Sequence, residues 1–333
     1  MISKVVHTIK IHRHDGEILG EKNIMIFTKI KHNLFLPVIL LLVILLGGLL
    51  TACSNSKSLN TDNKIKIIAS TDFYGAAAKA VVGNKGQVTS VIKKPSIDPH
   101  DYDPTTNVAK QVSKANVVIA NGIGYDVWMN KLVKSNNTST KYIRIGEDVM
   151  NKQLGDNPHI WYNPETMPKY VNYLADKLSK MQPKNKSYFH KNANKYVKSL
   201  QSVNNEIKKL KKQTTNKSKN KVYVSEPVFD YALEALGYKV INKNFENAME
   251  KGIDPSTKQI KEMQYGIKEH KIAFFVYNKQ VSSKTVTNFV HLAKQYKVPV
   301  LKVTETLPAN MTYKQWMLSQ YRQLSSILSE QNK

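Results

Sequence analysis

The chain has 333 residues, 41% of them hydrophobic and 23% charged, a balance that excludes a disordered polypeptide and leaves room for about two domains. Lys and Arg number 50 against 25 Asp and Glu, a formal charge of +25. The lysines are nevertheless spread along the whole chain, with no zinc-finger spacing, no RNP-like aromatic motif and no basic helix with a reading face. The charge is therefore read as a solvated basic surface suited to anionic lipid and cell-wall polymer, and nucleic acid is not expected as a partner.

In chain order, residues 1–24 mix charges and carry His7, His12 and His14 without targeting logic. Met25, followed by Lys29 and Lys31, gives a basic segment of ordinary length, so translation is expected to start there. Residues 34–50 form one apolar run, short for a spanning helix of ~20 residues, and Leu50-Thr51-Ala52-Cys53 follows it directly. Basic segment, apolar segment and small residues describe an export signal over 1–52. Leu-Thr-Ala-Cys resembles the lipobox of bacterial lipoproteins, which implies that Cys53 is acylated and becomes the first mature residue. As Cys53 is the only cysteine, no internal disulfide forms. Polar residues 53–63 read as a lipid-anchored tether, and the folded body begins near Lys64.

In the body, β-rich runs alternate with helical patterns. Strands are predicted at 65–69, 88–92, 117–120, 142–145, 222–225, 272–277 and 299–303; their near-continuous apolar character suits parallel sheets with helical crossovers. A helix is predicted over 164–181, with Asn163 as cap, Pro164 in the first turn and an apolar stripe from Met167 to Met181. Residues 185–212 contain neither Gly nor Pro. Phe189, Ala193, Tyr196, Leu200, Val203, Ile207 and Leu210 recur there at spacings of three and four. One rigid amphipathic helix of roughly 28 residues and ~42 Å is expected, joining an N-terminal lobe at 64–184 to a C-terminal lobe at 213–333. The fold class is α/β, in two lobes, each a mainly parallel sheet flanked by helices.

Four residues stand where such a fold places ligands. His100 lies in Asp98-Pro99-His100-Asp101-Tyr102-Asp103-Pro104-Thr105, between a strand and a helix beginning near Thr105. One imidazole among acidic side chains on a loop beyond a strand's carboxyl end suits a divalent cation. His159, in Asn157-Pro158-His159-Ile160-Trp161, also follows a proline at an element boundary. Glu226 directly follows the strand at 222–225, and Glu305 comes two residues after that at 299–303. Two imidazoles and two carboxylates suit Mn²⁺, Fe²⁺ or Zn²⁺, in contrast to a thiolate site. His190, His270 and His291 read as surface residues.

Export signal, lipobox, the PHDYDPT and NPHIWYNP segments and SEPVFDYALEALGY together resemble the manganese/zinc/iron class of ABC-importer solute-binding lipoproteins, over essentially all of residues 64–330. The resemblance implies two α/β lobes joined by one long helix, with one metal ion in the cleft between them. It implies His100, His159, Glu226 and Glu305 as ligands; the family's last ligand is usually Asp, so Glu305 departs from the pattern. It further implies a monomer on the extracellular face of the cell membrane, working with an ABC permease and a cytoplasmic ATPase and not itself an enzyme. A surface adhesin and a zinc metallohydrolase are the alternatives; no HExxH motif supports the latter. Zinc-specialised members often carry a His-rich loop between the first two ligands, whereas residues 101–158 contain no His. With an oxygen donor in third place, Mn²⁺ is expected as the transported ion, although Zn²⁺ binds at least as tightly in vitro.

Overall fold

A computed structural model describes residues 64–330, except 137–138 and 216–219. The export signal, Cys53, the tether and the Met25 start lie outside the described residues. The first lobe begins with β1 (Ile65–Thr71), buried at every position but Lys66, as a strand covered on both faces must be. There follow α1 (Asp72–Val82), β2 (Gly86–Ile92), α2 (Thr106–Val112), β3 (Val117–Ala120), α3 (Val127–Ser135), β4 (Lys141–Arg144) and α4 (Thr166–Met181). The four strands are all parallel, in the order β2-β1-β3-β4.

The second lobe repeats this plan. It consists of β5 (Lys221–Val224), a helix over Asp230–Leu236, β6 (Lys239–Val240), a helix over Lys243–Glu250, one over Thr257–Lys268, β7 (Phe275–Asn278), one over Lys284–Gln295, β8 (Val300–Val303) and one over Tyr313–Glu330. Its sheet runs β6-β5-β7-β8, again all parallel. In chain order these helices are α7, α8, α9, α10 and α11. In both sheets the chain first crosses one way and then reverses, which opens a crevice at the strands' carboxyl ends.

Between the lobes lie α5 (Lys186–Ser199) and α6 (Gln201–Thr215), where a single rod is predicted. At the break the hydrogen bonds change partner. Ser199 Oγ donates to the Tyr196 carbonyl at 2.6 Å, the acceptor that the Leu200 N–H would use in an unbroken helix. Leu200 N turns instead to Val197 O at 3.1 Å. Beyond the break, α6 continues to Thr215, three residues past the predicted end at 212. α5 is tied to the first lobe by Asn192 Nδ2 on Val81 O at 3.0 Å, and α6 to the second by Lys209 Nζ on Ser325 Oγ at 3.2 Å.

Helix α4 starts two residues later than predicted: Asn163 Oδ1 accepts from Glu165 N at 3.0 Å, and Thr166 opens the helix. One apolar core runs from β1 and α1 through Trp161, Tyr162, Leu200, Val203, Ile207 and Leu210 to Phe229, Trp316 and Leu324. The lobes therefore share a core. Separate clusters fill the outer faces of the two sheets.

Candidate metal centre

His100 sits on the loop from β2 to α2. Its own N–H donates to Asp98 Oδ1 at 2.8 Å, and Pro99 O accepts from Trp128 Nε1 at 3.2 Å, so the loop is pinned on both sides of the imidazole. The ring stands edge-on to Tyr125, with centroids 4.7 Å apart. From the other lobe, Gln280 Nε2 and Thr306 Oγ1 donate to Pro95 O at 3.1 and 2.9 Å, and Gln280 Oε1 accepts from Glu305 N at 2.6 Å. One glutamine thus links the loop of His100 to the loop of Glu305.

His159 is fully buried. Asn121, just past β3, donates to Pro158 O at 2.9 Å and accepts from Tyr74 Oη at 2.8 Å, which fixes the backbone entering the histidine. Asn157 Nδ2 donates to Pro227 O at 2.7 Å, so its Oδ1 is the atom facing His159 Nδ1 at 2.8 Å. An amide oxygen only accepts, so Nδ1 carries the proton and Nε2 presents its lone pair. That Nε2 is buried without a hydrogen-bond partner.

Facing it are two carboxylates. His159 Nε2 lies 3.8 Å from Glu305 Oε1 and 3.8 Å from Glu250 Oε1, and His100 Nε2 lies 3.9 and 3.8 Å from the same two atoms. Glu305 Oε1 is likewise buried without a partner. Burial pushes the Glu305 carboxyl up, but His159, His100 and the neighbouring Tyr125 hydroxyl outweigh it and hold the group below its ordinary value. Burial pushes His159 down, and Glu305, Glu250 and Glu226 outweigh it, so its affinity for a proton is raised.

Of the four residues expected from the sequence, His100, His159 and Glu305 come together, each offering a ligand atom within 4.8 Å of the others. Glu226 does not join that group. It is buried at the end of β5, its Oε2 accepting from Asn278 Nδ2 at 2.9 Å. Burial drives its carboxyl up to about 7, reinforced by the charges of Glu250 and Glu305 and opposed by Asn278. Glu250, the last residue of α8, is the acidic residue that the sequence reading passes over. No proline or strand end marks it, and it lies within a helix that also carries Glu246. Asn157 carries a signal, an Asx residue two positions before His159.

Donors from both lobes meeting at one point, with an imidazole nitrogen and a carboxylate oxygen unpartnered in the interior, call for a cation. The family model described as "Zinc-uptake complex component A periplasmic" matches residues 67–327. The chain belongs to this family. The metal ABC transporter substrate-binding lipoprotein FimA of Streptococcus parasanguinis is 28% identical over 276 residues, 79% of this chain and 86% of the relative. The manganese ABC transporter substrate-binding lipoprotein PsaA of Streptococcus pneumoniae is 29% identical over 213 residues, 60% of this chain and 68% of the relative. Names of further relatives specify zinc and iron. The Mn-bound periplasmic metal binding protein of candidatus liberibacter asiaticus superposes with a TM-score of 0.64 at 19% identity, covering 80% of this chain and all of that one; that likeness shows the fold. Members of the zinc-uptake component family bind a solute and are not enzymes, and as substrate-binding components of ABC transporters they work with a permease and an ATPase.

Proposed function

We propose that this protein is the extracellular capture component of a metal importer. It binds one divalent ion, Mn²⁺ or Zn²⁺, between its lobes and delivers it to an ABC permease driven by a cytoplasmic ATPase, with Mn²⁺ as the transported cargo. The ion is held by His100, His159 and Glu305, with Glu226 as the further carboxylate at the end of β5. Acylated Cys53 anchors the monomer to the outer face of the membrane, and the basic surface faces anionic lipid and wall polymer.

The observation that carries this reading is the buried lone pair of His159 Nε2, which faces carboxylates and has no donor to meet it. A neutral imidazole whose other nitrogen is hydrogen-bonded to an amide oxygen is the usual form of a metal-bound histidine. Oxygen donors among the remaining ligands favour the harder cation in the cell, while the intrinsic order of affinities keeps Zn²⁺ binding at least as tight in vitro. Growth of a deletion strain in chelated medium, with single metals restored, tests the reading. A growth defect that manganese relieves supports it. Rescue by zinc alone overturns the manganese assignment, and absence of any metal-dependent defect overturns the import role.

A further inference from the structure

Glu250 reaches the centre from an unexpected place. It is the last residue of α8, followed by a tight turn in which Gly252 N and Ile253 N return to Met249 O and Ala248 O at 3.0 and 2.8 Å. Gly252 takes φ 62° there, a left-handed conformation that glycine adopts without strain. The end of the helix is thereby fixed. It is also the negative end of the helix dipole, where a carboxylate is disfavoured unless a cation compensates. The ion pairs of Glu250 among the described residues are with His100 and His159 alone, and both imidazoles are needed neutral to bind metal.

The spacing fits a shared ion. Bonds of about 2.0–2.2 Å place tetrahedral donors roughly 3.3–3.6 Å apart. Glu250 Oε1 and Glu305 Oε1 each lie 3.8–3.9 Å from both imidazole nitrogens, a few tenths of an ångström wide of that range; Glu250 stands outside the set whose ligand atoms all lie within 4.8 Å of one another, so an ion held by both carboxylates draws them towards each other. Glu226 Oε2 accepts from Asn278 Nδ2 at 2.9 Å, as a ligating carboxylate is commonly hydrogen-bonded.

Resting on the importer reading above, we propose that Glu250 is a direct oxygen donor to the cargo ion and a determinant of its selectivity. The second lobe then supplies Glu250 and Glu305 against His100 and His159 of the first. Counted with His100, His159, Glu305 and Glu226 of the proposed set, Glu250 takes the number of donors above four. Zn²⁺ is content with four, whereas Mn²⁺ accepts a larger, oxygen-rich set. Glu250 therefore contributes more to holding Mn²⁺ than Zn²⁺.

The test compares Glu250→Gln with the wild-type protein by calorimetric titration with Mn²⁺ and with Zn²⁺, and by the absorption spectrum of bound Co²⁺. Gln keeps the volume and removes a charge from the negative end of a helix, and thermal unfolding of the metal-free variant verifies that it folds. The expected result is a loss of Mn²⁺ affinity of roughly tenfold or more with a clearly smaller loss for Zn²⁺, a changed Co²⁺ spectrum, and partial recovery of Mn²⁺ binding in Glu250→Asp. Unchanged Mn²⁺ affinity and an unchanged Co²⁺ spectrum in Glu250→Gln overturn the proposal, as does an equal loss for both ions. His159→Ala separates the two levels. If it too binds metal like wild type, the importer site itself is misplaced; if it alone loses binding, only the role of Glu250 fails.

Discussion

Asn157 touches both lobes at once: its Oδ1 lies 2.8 Å from His159 Nδ1, while its Nδ2 donates to Pro227 O at 2.7 Å. The backbone carbonyl of the same residue accepts from Tyr231 Oη at 2.9 Å. One residue therefore sets the tautomer of a buried imidazole in the first lobe and ties that imidazole to the strand end that carries Glu226 in the second.

Replacing Asn157 by Ala removes the acceptor for Nδ1–H and the bond to Pro227 together. Metal affinity is expected to fall roughly 10- to 100-fold, as when the hydrogen-bond partner of a metal-bound histidine is lost. Calorimetry on the purified variant measures it. Wild-type affinity in Asn157→Ala would show that His159 is oriented by other contacts.

The centre also makes the metal-free protein sensitive to pH. Glu226 titrates at about 7 in the fold against an ordinary 4.5, so the folded state holds an extra proton between those values and stability falls as pH rises through them. Fully expressed, that shift is on the order of 3 kcal/mol. His159, raised above 6.5 by its carboxylate neighbours against the effect of burial, adds stability below 6.5 that is lost as pH rises through its folded value. Glu246, driven by burial and by Asp230 to about 8, acts in the same direction as Glu226. Glu305 is lowered, so its contribution is lost only in acid, below 4.5. The melting temperature of the metal-free protein should thus fall between about pH 5 and pH 8. Mn²⁺ affinity should rise over the same range as the ion displaces these protons, and titration in buffers of different ionisation enthalpy reads their release. A pH-independent affinity would contradict the charge states assigned here.

Tyr162 holds the lobes together beside Glu305. Its hydroxyl donates to Thr304 O at 2.5 Å and lies 2.9 Å from Gln320 Oε1, and Trp316 Nε1 donates to Thr304 Oγ1 at 2.7 Å. In Tyr162→Phe the carbonyl preceding Glu305 loses its donor in a buried setting. Unfolding in urea should show a loss of ~1–3 kcal/mol. A change too small to resolve would mean that Gln320 rearranges to replace the bond.

How far the sequence carried this account differs from element to element. The buried parallel strands were legible because apolar runs such as Val117–Ala120 have no exposed face to interrupt them. Strand β6, only Lys239–Val240, was not, since two residues carry no periodicity. The break at Leu200 was hidden for a related reason: the apolar stripe passes through it intact, and a serine hydroxyl on a carbonyl leaves no trace in hydrophobic spacing. His100 and His159 stood out by their prolines and their place at strand and helix boundaries, and Glu305 by its distance from β8. Glu250 could not stand out, because its approach to the imidazoles is made by the crossover from β5 through α7 and β6 to α8.

The reading proposed above stands on His100, His159 and Glu305 meeting on one divalent ion. The most direct measurement is metal analysis and calorimetric titration of the purified protein beside His159→Ala, after both have been stripped of metal. One ion per chain is expected in the wild type, with Mn²⁺ and Zn²⁺ both binding, and affinity for both should fall steeply in the variant although it remains folded. Binding of equal tightness and stoichiometry in His159→Ala would contradict it.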